Sequence, residues 1–290
     1  MGKQRVHTSG IDHVHLNVYE LEKAIDLFTS LFACEHNIPL YIDSIDGMNS
    51  MNSFGMDVMA PASSDGFYGK LMKRHGGEGI SALSFHVEDL DDATEKIEST
   101  GIRKISEIGY PGIERQTQFN AKDFFGMSLE LVYHYPDALE KVAAIKADQA
   151  KENDGRTQIA HQPGAVATGG IHHVRVRVPS VEALDEAIAK FESWFECTWR
   201  RSRDGRAAIS SLDLHLLVSD DGSEGVDAFG MSVPDLDAAA DRAASMGMHQ
   251  IASPAYLEDE ARVHCLPPAD CFGVSLVLVE SDAKRIRQQH

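Results

Sequence analysis

A four-fold internal repeat constrains this chain more than any other feature. Residues 11–24, IDHVHLNVYELEKA, read as an alternating apolar strand ending at Val18, a short acidic turn, and an amphipathic helix that begins near Leu21. Residues 80–93, ISALSFHVEDLDDA, repeat that unit: with Val87 set on Val18, Leu90 falls on Leu21 and Ala93 on Ala24. Two further copies, IHHVRVRVPSVEAL at 171–184 and VDAFGMSVPDLDAA at 226–239, put Val178 and Val233 in the same place. The unit endings recur as well. Residues 115–132, RQTQFNAKDFFGMSLELV, match residues 262–279, RVHCLPPADCFGVSLVLV, at a constant offset of 147. Between the helices lie short strand-like runs, such as 55–59 and 211–218, closed by Asp, Gly and Ser turns. The chain therefore predicts four βα starts, each followed by a few strands.

With 290 residues, the repeat divides into two domains: 1–135 and 170–282, followed by a tail at 283–290. The linker, 136–169, loses the pattern and passes through a Lys- and Ala-rich helix into a polar stretch with Gly, Pro and Gln. Lys+Arg 27 against Asp+Glu 45 gives a net charge of -18, which repels phosphate backbones and anionic lipid surfaces. Nucleic acid and membrane are excluded as partners, and no run approaches the ~20 apolar residues of a membrane span. The opening Met1-Gly2-Lys3-Gln4-Arg5 leads into a polar stretch without an apolar core, so a cytoplasmic location is expected. Cys34, Cys197, Cys265 and Cys271 contain no C-x-x-C pair and support neither a disulfide framework nor a zinc ribbon.

Paired βαβββ units with Asp12-His13-Val14 on the first strand, and Leu129-Glu130-Leu131 on a strand after an Asp-x-x-Gly turn, resemble the vicinal oxygen chelate superfamily. That superfamily includes glyoxalase I, methylmalonyl-CoA epimerase, fosfomycin and bleomycin resistance proteins, and extradiol dioxygenases. The resemblance covers everything except the linker and tails, and it rests on short motifs in four phased copies. A doubly wound parallel sheet is rejected, because the segments between helices are strand-rich and no Gly-rich phosphate loop follows a strand. The resemblance implies an α+β fold: paired βαβββ modules forming cup-shaped mixed sheets, in two tandem domains, with a divalent metal held in a cup. The implied ligand positions are His13, Asp57, Ala82 and Glu130, of which Ala82 cannot bind a metal. In the second domain they are His173, His215, Ala228 and Val277, a degenerate set without a carboxylate.

Strand residues two apart share a face, so the first cup is expected to gather His13, His15, Asp57, His86, Glu130 and His134. His13, Asp57 and Glu130 are the candidate metal ligands. Glu130, His86 and His134 are the candidates for moving a proton, and His15 and Arg115 for binding substrate. His86 cannot replace the ligand missing at 82, because four residues place it about 13 Å along the strand. Either a water or substrate oxygen fills that position, or the metal is absent and the histidines act as acid and base. The donor set does not distinguish Zn, Mn, Fe, Co and Ni. The expected function is a metal-assisted isomerase or lyase acting on a small oxygenated, carbonyl or enol-forming substrate. A non-catalytic small-molecule binding or resistance protein is the alternative. A ring-cleaving dioxygenase ranks below both, because its His, His and Glu set is broken at Ala82. Arg175 and Arg177 either bind an anionic group of a ligand or pair with acids of the first domain. The assembly is a monomer or a homodimer.

Overall fold

The computed structural model describes residues 5–74, 76–253 and 262–281; the tail expected at 283–290 lies outside the described residues. The first half runs β1 (Thr8–Asn17), α1 (Leu21–Leu31), β2 (His36–Asn37), β3 (Leu40–Ile42), β4 (Gly47–Met51), β5 (Met56–Pro61) and α2 (Phe67–Arg74). It continues through β6 (Gly79–Val87), α3 (Leu90–Glu98), β7 (Lys104–Tyr110), β8 (Glu114–Phe119) and β9 (Ser128–His134). Helix α4 (Ala138–Glu152) and β10 (Gln158–Ile159) follow, with β10 pairing back onto β2. The second half contains β11 (Gly170–Val178), α5 (Val181–Trp194), β12 (Trp199–Arg201), β13 (Ala207–Ser210) and β14 (Leu214–Val218). Its last elements are β15 (Gly225–Val233), α6 (Leu236–Ser245), β16 (Val263–Leu266) and β17 (Ser275–Glu280).

These strands form two mixed sheets, ordered β3-β4-β5-β1-β6-β9-β8-β7 and β12-β13-β14-β11-β15-β17-β16. At the centre of the first, β1 runs antiparallel to β6, while β1 is parallel to β5 and β6 to β9. The second repeats this with β11 against β15, flanked by parallel β14 and β17. Each sheet is thus two βα-strand units joined through their first strands, the paired-module α+β architecture.

Alternation decides which side is core. Val14, Leu16 and Val18 turn toward the helices and are fully buried, leaving His13, His15 and Asn17 on the concave side. The four phased valines, Val18, Val87, Val178 and Val233, are all inaccessible. On α1, Leu21, Ala24, Ile25, Phe28 and Leu31 recur at helical spacing and bury one face. Asp89, Ser180 and Asp235 cap α3, α5 and α6 by accepting the backbone N–H of Asp92, Ala183 and Ala238. Each such cap stabilises a helix by about 1 kcal/mol.

Helices from both halves meet in one hydrophobic core. Across it Phe85 stacks on Phe195 at 5.4 Å, Phe124 contacts Phe191 at 5.6 Å, and Phe28 meets Phe229 at 6.4 Å. Buried Trp194 donates its indole N–H to Thr100 Oγ1 at 3.0 Å. The repeated Phe-Gly turn also has a structural reason. Phe272 and Gly273 are left-handed, and a Cβ on Gly273 would lie 2.5 Å from the Glu78 carbonyl oxygen, so only glycine lets this turn approach the entry to β6. Among the described residues, no helix is long and apolar enough to cross a membrane.

Candidate metal centre

The concave face of the first sheet gathers buried imidazoles and carboxylates around the β1–β6 junction. A register shift between Ile11 and His13 inserts Asp12 as an extra residue opposite β6. Such a bulge re-aims a side chain, and here the Asp12 carboxylate meets the ring of its neighbour. His13 Nδ1–H donates to Asp12 Oδ1 at 2.7 Å. A carboxylate only accepts, so this bond fixes the proton on Nδ1 and leaves Nε2 as the coordinating atom.

His13 Nε2 lies 3.1 Å from His15 Nε2, and Glu130 Oε2 lies 3.2 Å from His15 Nε2 and 3.8 Å from His13 Nε2. Metal–ligand bonds of about 2.1 Å place adjacent donors about 3.0 Å apart at right angles and about 3.4 Å apart at the tetrahedral angle. Two nitrogens and one oxygen at these separations therefore fit a divalent ion. Among the described residues, these three form the one group of His, Cys, Asp or Glu donors gathered this closely. Glu130 is held at both oxygens: Ser84 Oγ donates to Oε2 and Gln118 Nε2 to Oε1, each at 2.6 Å.

The electrostatics follow from burial and pairing. Burial alone would lower the His13 pKa, but the hydrogen bond and charge of Asp12, with the charges of Glu130 and Asp57, raise it to about 9. His15 is opposed by burial in the same way, and Glu130 and Asp57 carry it upward. Burial would raise Glu130, yet the two imidazoles and the Ser84 hydroxyl bring it down to about 2. Asp57 is raised, first by burial and then by Glu130 and Glu114, against the opposing pull of His15 and His13.

The structure places the expected site residues in three groups. His13, His15, Asp57 and Glu130 come together, with Asp57 Oδ2 4.0 Å from His15 Nε2 and Asn49 Nδ2 donating to Asp57 Oδ1. His134 joins through Asp12, donating from Nε2 to Asp12 Oδ2 at 3.0 Å, and His86 stacks on His134 at 5.6 Å. Arg115 stays apart. It reaches over the convex face to Asp91 of α3 at 2.8 Å and Glu107 at 2.7 Å, because its inward-facing neighbours on β8 are Gln116 and Gln118.

Sequence reasoning gave no role to Asp12, Ser84, Gln118 or Asn49, and it placed His15 in the cup as a substrate-binding group, not as a donor beside His13 and Glu130. Antiparallel register sets His15 directly opposite Ala82. Position 82 carries only a methyl group, and His15, from the neighbouring strand, brings its Nε2 to 3.2 Å from Glu130. The signal was the pair itself, an alanine on the cup face of one strand and an extra histidine on its partner, readable only once the register is known.

No family model matches the sequence, and no curated protein matches it. Solved structures do. A Mn(II)-bound glyoxalase from Novosphingobium aromaticivorans superposes with TM-score 0.61 at 9% identity, over 97% of this chain and 87% of that one. A xylose isomerase-like TIM barrel/4-hydroxyphenylpyruvate dioxygenase fusion protein gives TM-score 0.61 at 14% identity, over 98% of this chain and 51% of that one. The chain shares the fold of these two structures, the paired-module architecture that the resemblance to the vicinal oxygen chelate superfamily implied. Methylmalonyl-CoA epimerase from Mycobacterium tuberculosis matches half the chain: 24% identity over 50% of this chain and 97% of its own, TM-score 0.41.

Within this shared fold, the second cup has different chemistry. His173, Arg175, His215, Gly230 and Val277 stand where His13, His15, Asp57, Ser84 and Glu130 stand in the first. The His173 and His215 rings stack face to face at 4.0 Å. A Cβ on Gly230 would lie 2.3 Å from the His173 ring, so the ring occupies that space. Arg175 pairs with Asp227 of its own sheet at 2.7 and 2.9 Å. Ala228, Cys265, Val277 and Val279 form an apolar cluster beside it.

Proposed function

We propose that His13, His15 and Glu130 hold one divalent ion, and that the chain is a cytoplasmic isomerase or lyase acting on a small oxygenated, carbonyl or enol-forming substrate. The observation that carries this reading is the donor triad at 3.1 to 3.8 Å, with the His13 tautomer set by Asp12. When bound, the ion supplies Lewis acid stabilisation to an oxygen next to the reacting carbon. The remaining roles fall to the chain's own groups. Asp57, buried, raised in pKa and anchored at one oxygen by Asn49, is the proton acceptor with its other oxygen. Glu130, drawn down to about 2 and held at both oxygens, suits holding an ion better than accepting a proton. Asp12 orients His13 and ties it to His134, as carboxylates behind ligating histidines commonly do.

A second reading has its own support. Two imidazoles and one carboxylate are the facial set of non-haem ferrous oxygenases, and His15 completes that set where Ala82 had broken it. One experiment separates the two. The protein loaded in turn with Mn, Zn, Co, Ni and, without air, ferrous iron is incubated in D2O with small hydroxyketones, 2-oxo compounds and catechols, and followed by NMR and an oxygen electrode. Metal-dependent deuterium incorporation beside a carbonyl, without oxygen uptake, is the expected result and disappears in Asp57→Asn. Oxygen uptake confined to the ferrous form with a catechol supports the second reading, and absence of both reactions with every metal overturns the enzymatic proposal.

A further inference from the structure

The walls of the first cup differ from its floor. Ser106 and Gln118 hydrogen bond to each other, and Gln118 reaches Glu130, which fixes Ser106 on the concave side. Register is unbroken from Ser106 to Tyr110, so Ile108 and Tyr110 face inward too. On the opposite wall, Asn49 touches Asp57 and pairs with Leu40, placing Leu40 inward. Leu40 is 47% exposed, Ile108 49% and Tyr110 55%, so three large apolar groups stand open to solvent around a buried polar floor. Pockets built this way bind apolar bodies through their walls and orient polar groups at their base.

Charge narrows the choice further. Among the described residues, the inward positions of these eight strands carry no Lys or Arg; Arg115 points the other way. Asp12, Asp57, Glu114 and Glu130 lie in or beside the cluster, four carboxylates against the two charges of one divalent ion. The cup therefore presents a negative field to an incoming ligand, within a chain of net charge -18.

We infer that the first cup selects a neutral substrate carrying an apolar or aromatic group beside two neighbouring oxygens, and discriminates against carboxylate and phosphate substrates of similar size. The placement of the two oxygens rests on the proposed metal reading; the preference for an uncharged, apolar body rests on the walls. Equilibrium dialysis of the Mn-loaded full-length protein against 2-hydroxy-1-phenylethanone and phenylpyruvate tests it, since both carry a ring and vicinal oxygens but only the second is an anion. The neutral ketone is expected to bind at least about tenfold more tightly, a difference of about 1.4 kcal/mol. Ile108→Asp and Tyr110→Ala should each weaken it about fivefold or more with metal content unchanged by elemental analysis. Equal or tighter binding of phenylpyruvate overturns the inference, as does failure to bind the ketone or unchanged binding in both variants. If the chain takes up no metal yet still prefers the ketone, the substrate preference stands and the metal-dependent function falls.

Discussion

Protonation of His13 should govern how the proposed centre takes up an ion. Its pKa of about 9 means that the metal-free imidazole is charged at pH 7.5, whereas ligation requires a free Nε2. Metal binding at that pH should therefore release about one proton or more per ion, and affinity should rise with pH until about 9. Calorimetry in two buffers of different ionisation enthalpy reads the proton directly; zero release would contradict the pairing described for His13. Without metal the stability effects have opposite signs. His13, raised from 6.5 to about 9, stabilises the fold below pH 6.5 and loses that contribution as pH rises through about 9. Glu130, lowered from 4.5 to about 2, contributes above pH 4.5 and loses it as pH falls through about 2. His13 and Glu130 were legible in the sequence because the repeat phases them. Asp12 was not, since an inserted bulge leaves no mark in an alternating pattern, and Arg115 was misplaced for want of its strand's parity.

Pairing between elements explains the gap at Ala82. The repeat equates Ala82 with His13, which makes the alanine look like a lost ligand. In the sheet the position opposite Ala82 is His15, and that ring reaches Glu130 from the neighbouring strand. Ala82→Leu should accordingly keep the fold while weakening metal binding by at least about tenfold, since the added carbons compete with the His15 ring for the same space. Circular dichroism establishes folding and competition with a chelator gives the affinity; wild-type affinity in this variant would contradict the cross-strand account. Strand and helix placement was readable from periodicity, as the four buried valines and the caps at Asp89, Ser180 and Asp235 show. Register was not, because one sequence carries no information on which residues of two strands stand opposite each other.

At the scale of the whole molecule, the two sheets share one apolar core while their concave faces have diverged. Phe195, from the second half, is fully buried against Phe85 of the first. Phe195→Ala should cost about 3–5 kcal/mol and lower both halves together in a single thermal transition. Two separated transitions by calorimetry would show that the halves fold independently. The faces are a different matter: one holds His13, His15 and Glu130, while the other sets Arg175 and Val277 in corresponding places and has no donor triad among the described residues. The most direct test is therefore elemental analysis after dialysis against excess Mn and removal of free ion. Wild type should retain about one ion per chain, Glu130→Gln and His15→Ala almost none, and His215→Ala about one. Two ions in wild type, or full occupancy in His15→Ala, would contradict a single centre built from His13, His15 and Glu130.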